Sequence, residues 1–389
     1  MISSLAYNKL LSFDYKNGIL KCQSGLLLKD ILDVIVPKGW FLPVTPGTKL
    51  ITMGGAIASN VHGKNHHKEG AFSDHLVNFS IMLDNGSIVI CSKDKNQDLF
   101  WATCGGMGLT GFILDATITL KPIETAYIKQ LSLKANNLDE LIDYLHQYRK
   151  WTYTVAWMNT NTKGKSLGKG IVICGEHATL NDVQENKNLK PLAEKKQFKL
   201  NIPFFFPSIV LNFYSIQLFN FLYFHKQIKK RATTIIPYDN FFYPLDKIQN
   251  WNRIYGRRGF VQYQFVIPEK KDLIKVIEMI SRSRKASFLT VLKEFGHHQQ
   301  GLMSFPMKGY TLALDFPISK GIWTFLNELD QCVLKYKGRV YLAKDARMTK
   351  DMFFSCYPNA QEFVSLLKSK NIQKFTSLQS QRLGLTIKG

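Results

Sequence analysis

Three lysines in this sequence stand where a cation could take part in a reaction. Lys293 ends a mostly apolar run, Lys344 lies in the segment Arg339–Arg347, and Lys64 closes a glycine-rich stretch two residues after His62. A lysine in apolar surroundings either extends its ammonium group to solvent or keeps a buried charge for a function, and the sequence leaves both interpretations open. His62 and Lys64 are candidates for contacting a ligand.

Two glutamines offer hydrogen-bonding groups for a polar ligand. The segment Val261–Val266 alternates as a β-strand does, which puts Gln262 and Gln264 on one face. Two adjacent amides suit the hydroxyl groups of a sugar, although an ordinary exposed strand face would show the same pattern.

These side chains need a binding surface, and the stretch Pro46–Lys64 is the best candidate for it. The stretch contains Gly47, Gly54, Gly55 and Gly63 among small and apolar residues. Glycine loses more backbone freedom on folding than other residues, so this density indicates a backbone that turns sharply or lies against a ligand. We expect a buried loop whose free N–H groups need acceptors, which a flat cofactor carrying phosphate would supply.

Two other motifs match common binding sites only in part, a dinucleotide-binding glycine motif and a histidine metal site. The segment Gly105–Gly111 has the G-x-G-x-x-G spacing, but a helical piece precedes it and the alternating strand Gly111–Leu120 follows, the reverse of the order in a Rossmann fold. His62 and His66 would need a shared helix to hold a metal, and Gly63 between them disfavours one, so we expect no metal site.

The composition describes a globular protein with a large positive charge. The 389 residues are 45% hydrophobic, and 51 Lys and Arg against 29 Asp and Glu give a formal charge of +22. Such an excess suits an anionic membrane face or a phosphorylated substrate. No zinc-finger spacing or basic heptad supports a nucleic-acid partner. The six scattered cysteines favour a reducing compartment, and no secretory leader or run of about 20 apolar residues is present.

The order of predicted elements suggests two domains. A hairpin is predicted around Asp84–Ser87, and longer strands and the amphipathic helix Leu138–Tyr148 begin after residue 125. The segment Lys199–Arg231 is rich in phenylalanine and tyrosine and ends in a basic cluster. Such a segment is either core or lies in a membrane interface, and the basic charge favours the interface.

Several of these motifs together resemble a known flavoprotein family. The resemblance runs in order from about residue 5 to Leu385, and its most specific parts are Gly54–His67, Leu99–Gly111, Trp251–Tyr255, Gln262–Pro268 and Tyr341–Arg347. On these residues the chain is similar to the decaprenylphosphoryl-β-D-ribose oxidase family, within the vanillyl-alcohol-oxidase (PCMH-type) flavoproteins.

The resemblance implies an α+β fold and a domain plan. A PCMH-type FAD-binding domain would span residues 1–125, a sheet-based substrate domain residues 126–338, and a C-terminal segment, residues 339–389, would return to the FAD domain. The family also carries a glycine-rich pyrophosphate loop ahead of the position that corresponds to Met1. We therefore expect an upstream start, a loop supplied by another chain, or a degenerate protein.

The resemblance also implies a site and a reaction. FAD, bound non-covalently, would contact Gly47, Thr52, Met53, Gly54, Gly55, Ser59, Asn60, Val61, His62, Ile113 and Tyr341. The catalytic residues would be Lys344 and Lys293, and the substrate would meet Lys64, Gln262, Gln264, Thr311 and Ala313. The family oxidises the ribose 2′-hydroxyl of a polyprenyl-phosphoryl sugar, and a short-chain-type reductase partner completes an epimerisation. The expected location is cytoplasmic, peripheral to the inner face of the plasma membrane.

Two alternatives stay open at this stage. Thr311 and Ala313 stand where the actinobacterial members of the family have Asn and Cys, which leaves the exact sugar open. An aldonolactone-type oxidase would act on a soluble sugar and would have no use for the aromatic segment. A cofactor-free, membrane-associated binding protein is the alternative of another class.

Overall fold

The computed structural model describes residues 3–184, 189–193, 199–207, 210–296 and 300–386, and they form an α+β fold. In this part of the chain the strands are β1 Leu10–Asp14, β2 Ile19–Gln23, β3 Trp40–Phe41, β4 Leu76–Met82, β5 Ile88–Ser92, β6 Phe112–Thr119, β7 Lys121–Pro122, β8 Tyr127–Ala135, β9 Tyr153–Met158, β10 Gly170–His177, β11 Leu200–Asn201, β12 Arg231–Pro237, β13 Ile248–Gln249, β14 Phe260–Ile267, β15 Thr290–Phe295, β16 Gly309–Pro317 and β17 Arg339–Val340.

Helices lie between groups of these strands and at the C-terminal end of the described chain. Over the same described ranges they are α1 Leu28–Ile35, α2 Met53–Ala58, α3 His66–Glu69, α4 Gln97–Thr103, α5 Leu138–Gln147, α6 Leu180–Gln184, α7 Phe213–Lys226, α8 Tyr238–Phe242, α9 Lys270–Ser283, α10 Ile322–Lys335, α11 Lys350–Cys356, α12 Ala360–Ser369 and α13 Leu378–Arg382.

The first sheet is antiparallel, with the order β1-β2-β6-β4-β5 among the described residues. Its hairpin β4–β5 lies where the Asp84–Ser87 turn predicts it. As the sequence predicts, α4 precedes the segment Gly105–Gly111 and β6 follows it, so this glycine motif does not open a helix.

The second sheet is also antiparallel and carries the larger share of the site. Its order in the described chain is β12-β8-β10-β9-β15-β16-β14-β17. Gln262 on β14 lies opposite Asp315 on β16, and Lys293 on β15 lies opposite Thr311. Successive side chains on a strand point to opposite faces, so the cavity-facing residues of β14, β15 and β16 share one face. Tyr263, on the other face, donates a hydrogen bond to Asp330 of α10.

The glycine-rich stretch is partly helical, so the prediction of a loop with free N–H groups is wrong at its centre. α2 begins after Thr52, whose hydroxyl accepts a hydrogen bond from the N–H of Gly55. The N–H groups of Met53 and Gly54 donate to the carbonyls of Leu26 and Ser24. A threonine cap followed by small residues permits a short helix despite the two glycines.

The C-terminal helices contact residues of the first 125. Lys370, just after α12, forms an ion pair with Asp98 at 2.6 Å, and the backbone N–H of Gln373 donates to Asp84. β17 pairs with β14 in the second sheet instead. The boundaries at residues 125 and 338 stay a prediction.

Candidate active site

A large cavity lies between the glycine-rich stretch and one face of the second sheet. Its volume is about 1590 Å³, more than most small-molecule pockets need. The strands β14, β15 and β16 contribute Gln262, Gln264, Lys293, Ala313 and Asp315 to its wall. The residues 45–50 and 61–64 form another part of the wall, and residues 239–252 a third.

Lys344 reaches this cavity and does not point into bulk water. It closes a 3₁₀ turn after Tyr341, and its Nζ donates to Gln262 Oε1 at 2.6 Å. The same amide donates from Nε2 to Asp315 Oδ1 at 2.9 Å. Burial lowers the pKa of Lys344, while the carboxylate of Asp315 acts in the opposite direction. The three side chains form a continuous chain of hydrogen bonds.

His62 lies beside this chain in an apolar setting. Its ring packs against Phe295, Phe305 and Tyr341, with centroid distances of 4.7, 5.6 and 5.2 Å. Burial, together with the charge of Lys293, lowers the pKa of His62 well below its usual value, so the ring is neutral. Gln264 Nε2 lies 3.0 Å from His62 Nε2, which assigns the acceptor role to that nitrogen and the proton to Nδ1.

Lys64 and Lys293 bring two further amines to the cavity. Both side chains are partly exposed, and both line the cavity. Burial, reinforced by the charge of Lys293, lowers the pKa of Lys64 to about 7. Burial and the charge of Lys344 lower the pKa of Lys293 to about 8. The cavity therefore holds charged and uncharged amines side by side near neutral pH.

The opposite wall is fixed by contacts between the glycine-rich stretch and the segment around α8. Lys49 Nζ lies 2.7 Å from Asp239, and the hydroxyls of Thr45 and Tyr243 are 2.6 Å apart. Lys64 donates a hydrogen bond to the carbonyl of Phe241. These bonds hold residues 45–50 in place beside the sheet.

The structure gathers only part of the predicted residue set at the cavity. Gly47, Val61, His62, Lys64, Gln262, Gln264, Lys293, Ala313, Tyr341 and Lys344 line it. Thr311 is on the same strand face as Ala313 but is fully buried, does not line the cavity and accepts a hydrogen bond from Gln264.

The remaining predicted cofactor residues lie around α2 and in β6 and do not line the cavity, although the backbone carbonyl of Ser59 accepts a hydrogen bond from Tyr341 of the wall at 3.2 Å. Asn60 is fully buried, and its amide bonds to Ser304 and to the backbone of Ser73. Met53 is also fully buried, and Ile113 is buried in β6. Thr52, Gly54, Gly55 and Ser59 belong to α2 and its caps, where Gly55 is exposed. Their role in binding a cofactor stays a prediction.

Asp315 is a site residue that the sequence reasoning missed. It is 3% exposed, and its Oδ2 has no hydrogen-bond partner in the described part of the chain. Burial raises its pKa to about 6. The signal was present, because Thr311, Ala313 and Asp315 alternate on one strand face and Asp315 lies opposite Gln262.

α7 forms part of the cavity rim and also presents an apolar outer face. Phe219 and Tyr223 line the cavity, and Tyr223 packs on Trp157 with ring centroids 4.6 Å apart. Away from the cavity, Tyr214 is 76% exposed and Leu222 is 58% exposed. The helix belongs to the segment Lys199–Arg231, of which residues 208–209 lie outside the described chain.

Neither a membrane span nor a metal cluster is found in the described residues. No helix among them has the length and apolar character needed to cross a bilayer. No group of three or more His, Cys, Asp or Glu side chains there could hold a metal ion.

Comparison with known sequences identifies a cofactor-binding domain and a close group of relatives. Residues 1–92 match the family model of an FAD binding domain. The chain is 35% identical to a decaprenylphosphoryl-beta-D-ribose oxidase from Mycolicibacterium smegmatis, over 99% of this chain and 85% of the relative. A D-lactate dehydrogenase from Anaerostipes hadrus is 30% identical over 38% of this chain and 32% of its own length.

Comparison with solved structures supports the fold. The structure of Physcomitrella patens BBE-like 1 matches with a TM-score of 0.63 at 12% identity, covering 94% of this chain and 77% of that protein. At this identity the similarity shows the fold alone, and it agrees with a PCMH-type α+β architecture.

The residues at the cavity fit FAD. Gly47 lines the cavity, and a Cβ added to it would meet no atom within 4 Å, so the backbone leaves room for a flat group beside it. The Nδ1 of His62 is buried and has no partner among the described residues, which leaves a donor for a ligand acceptor. The volume also exceeds what a sugar alone would fill.

Proposed function

The chain belongs to the decaprenylphosphoryl-β-D-ribose oxidase family and is an FAD-dependent oxidoreductase, and from this premise we propose that it oxidises the ribose 2′-hydroxyl of a polyprenyl-phosphoryl sugar. The observation that carries the proposal is the cluster of Lys344, Lys293, Lys64 and His62 on one cavity, with the amides of Gln262 and Gln264 between them.

FAD, when bound, would supply the oxidant, since flavin N5 can take up a hydride from C2′ of the ribose. Val61, His62, Gly47 and Tyr341 would hold the flavin ring along the cavity wall. The lone donor at His62 Nδ1 would bind an acceptor on that ring. Side chains of this protein would bind the hydroxyl oxygen and accept its proton.

Lys344 is proposed to hold the substrate oxygen. As hydride leaves the carbon, negative charge grows on that oxygen, and a fixed ammonium in a dry site stabilises it strongly. Gln262 keeps the Lys344 ammonium in place through its 2.6 Å hydrogen bond. Lys293 orients the sugar beside it.

The hydroxyl proton needs a base, and an uncharged lysine supplies one. The pKa values of Lys64, about 7, and Lys293, about 8, leave a fraction of these amines uncharged near neutral pH. We propose that whichever of the two is uncharged accepts the proton, while Lys344 stays charged. A base and a cation side by side suit this reaction.

A lipid-linked substrate would explain α7. The helix contributes Phe219 and Tyr223 to the cavity rim and turns Phe221 and Leu222 outward. Exposed Lys226, at the end of the helix, and exposed Lys229 just after it would meet anionic headgroups. We propose that α7 rests on an anionic bilayer while the sugar-phosphate enters the cavity. The free cysteines of the described chain favour the reducing, inner face of the plasma membrane.

The partner of the reaction follows from its product. Oxidation gives a 2′-ketone, and reduction of that ketone from the opposite face would complete an epimerisation. We propose a short-chain-type reductase for this second step.

The test is direct reduction of the bound flavin. The full chain, reconstituted with FAD, is mixed without oxygen with a short-chain polyprenyl-phosphoryl ribose, and the flavin absorbance near ~450 nm is followed. Bleaching with formation of the 2′-ketone supports the proposal. Bleaching only by a free aldonolactone would contradict it in favour of a soluble-sugar oxidase. A chain that cannot be loaded with FAD would contradict the enzyme role.

A further inference from the structure

The side-chain amide of Gln262 lies between Lys344 and Asp315, and each of these two groups can bond to only one of the two polar atoms of the amide. The ammonium of Lys344 only donates hydrogen bonds, so it must face the amide oxygen, at 2.6 Å. An ionised carboxylate only accepts, so Asp315 must face the amide nitrogen, at 2.9 Å. The orientation of Gln262 therefore depends on both partners.

Asp315 is held firmly but is not satisfied by the fold. Its backbone N–H donates to Ser287 Oγ at 3.0 Å, which anchors the residue at its place in β16. Its Oδ1 accepts from Gln262, while its Oδ2 has no partner among the described residues. A buried carboxylate without full pairing is unfavourable, so a structural reason for an acid here is missing.

Asp330 shows what a structural buried acid looks like in the same molecule. It is 6% exposed, forms an ion pair with Arg347 at 2.9 Å, and accepts a hydrogen bond from Tyr263 at 2.6 Å. Both of its oxygens are used by the fold. Within the described residues, by contrast, the carboxylate of Asp315 forms one hydrogen bond, with the amide that holds Lys344.

We propose that Asp315 is a positioning residue for Lys344: it fixes the Gln262 amide with its oxygen toward the ammonium and adds a negative charge to a cluster of amines. The inference rests on the proposed role of Lys344 in the reaction, but the contact itself does not. The groups that face this pair are Tyr255 near Asp315, and Lys293 and His62 near Lys344.

The contact can be measured without substrate. Full-length protein carrying ¹³C at lysine Cε is titrated by NMR, and the Lys344 resonance is assigned by its loss in Lys344→Arg. In Asp315→Asn the negative charge is gone and the amide can rotate, so the midpoint of the Lys344 titration is expected to move to lower pH. Asp246→Asn is the matched control, because it removes a carboxylate from the opposite wall of the same cavity without touching Gln262. An unmoved Lys344 midpoint in Asp315→Asn would overturn the proposal.

A second variant covers the chance that Asp315→Asn does not fold. Gln262→Met keeps the side-chain volume and removes the amide, and it is expected to move the Lys344 midpoint in the same direction. No shift in the folded Gln262→Met protein would overturn the proposal as well. Because these titrations need no turnover, absence of sugar oxidation would contradict the proposed function and leave this result standing.

Kinetic measurements then distinguish a role of Asp315 in positioning Lys344 from a role in the stability of the fold alone. With FAD and the short-chain polyprenyl-phosphoryl ribose, Asp315→Asn and Gln262→Met are each expected to lower kcat about tenfold, with KM little changed. The double variant is expected to lose no more than either alone, since both act through one contact. The basic limb of the pH profile is expected at lower pH in each variant. Independent, multiplicative losses would contradict the shared contact.

Discussion

At the scale of single residues, the proposed reaction depends most on the position of the Lys344 ammonium in the cavity. Its Nζ lies on Gln262, next to a neutral His62 and two further amines. A cation fixed in this way would stabilise charge that appears on the substrate oxygen only during the reaction, so its contribution should be to kcat.

Replacing Lys344 by methionine should therefore remove turnover but not the cofactor. We expect kcat for the polyprenyl-phosphoryl ribose to fall by about 10²- to 10³-fold in Lys344→Met, as for other lost oxyanion donors. The yellow colour of bound FAD should remain. Lys335→Met, on an exposed position of α10, is the control. Full activity in Lys344→Met would refute its assigned role.

The amine cluster also predicts a pH dependence. Burial lowers the pKa of Lys64 to about 7, and the charge of Lys293 adds to this effect. In Lys293→Met that repulsion is absent, so the pKa of Lys64 should rise and more of Lys64 should be protonated at pH 7. The acid limb of the residual kcat/KM profile is therefore expected at higher pH.

Lys247→Met provides the comparison for this titration. Lys247 also lines the cavity, but its ammonium bonds to Asn240, so its removal should leave the acid limb in place. An acid limb that stays put in Lys293→Met, or moves to lower pH, would rule out Lys64 as the titrating base.

The sequence predicted those site residues that a local pattern identifies, and it did not predict the contacts between residues far apart in the chain. Alternation placed Gln262 and Gln264 on one face, and the structure agrees, because period-two patterning is local. The contact between Lys344 and Gln262 joins residues 82 positions apart and depends on how β17 meets β14, which no local pattern gives. Asp315 could have been found by extending the same alternation to β16.

At the scale of elements, the sequence pattern predicted the wrong local structure for α2 and left the environment of α7 undecided. The density of glycines predicted a buried loop over Pro46–Lys64, but at Met53–Ala58 the Thr52 cap and the packing of the apolar face outweigh the low helix propensity of two glycines. For α7 the composition left core and membrane interface open. The structure buries Ile216, Asn220 and Phe224 and leaves much of the remaining apolar surface outside.

The outer face of α7 makes a prediction about membranes. Phe221 and Leu222 are 56% and 58% exposed, and each should gain about 1.5 to 3 kcal/mol at most on full burial in lipid. The double variant Phe221→Ser, Leu222→Ser should therefore bind vesicles of phosphatidylglycerol at least about tenfold more weakly than the parent chain. Sedimentation with the vesicles measures this.

Leu378→Ser is the matched control for that experiment. Leu378 is 87% exposed at the start of α13, so the change removes a comparable apolar side chain from another surface. It should leave vesicle binding unchanged. Equal loss in the control and in the α7 variant would contradict a specific membrane-facing role for α7, as would undiminished binding of the α7 variant.

At the scale of the whole molecule, buried imidazole and amide side chains of residues 60–66 contact the second sheet and the chain between β15 and β16. Asn60 bonds to Ser304, His62 to Gln264, and the Nδ1 of His66 accepts from the N–H of Gly296 beyond β15. Farther along the second sheet, His177 packs between Phe41 and Tyr153, with ring centroids at 4.9 and 5.7 Å. These contacts need uncharged rings.

This arrangement predicts a marked loss of stability in acid. Burial lowers the pKa values of His66 and His177 to about 3, below the ordinary 6.5 that they regain on unfolding. A depressed folded-state pKa gives stability that is complete above pH 6.5 and is lost as the pH falls toward 3, because the unfolded chain binds the protons. Each such imidazole should contribute a slope of about 1.4 kcal/mol per pH unit to the free energy of unfolding.

His177→Gln isolates one of these contributions. Measured by urea unfolding of the full chain, its free energy of unfolding should fall less steeply between pH 6.5 and 4 than that of the parent, by about one proton's slope. At pH 8 both imidazoles are neutral, folded or unfolded, so the difference there reports the changed packing around Phe41 and Tyr153 and the altered hydrogen bond to the Tyr153 hydroxyl, and it serves as the internal control. A parallel pair of pH curves would mean that His177 takes up no proton on unfolding, and the acid sensitivity would then have to come from other groups.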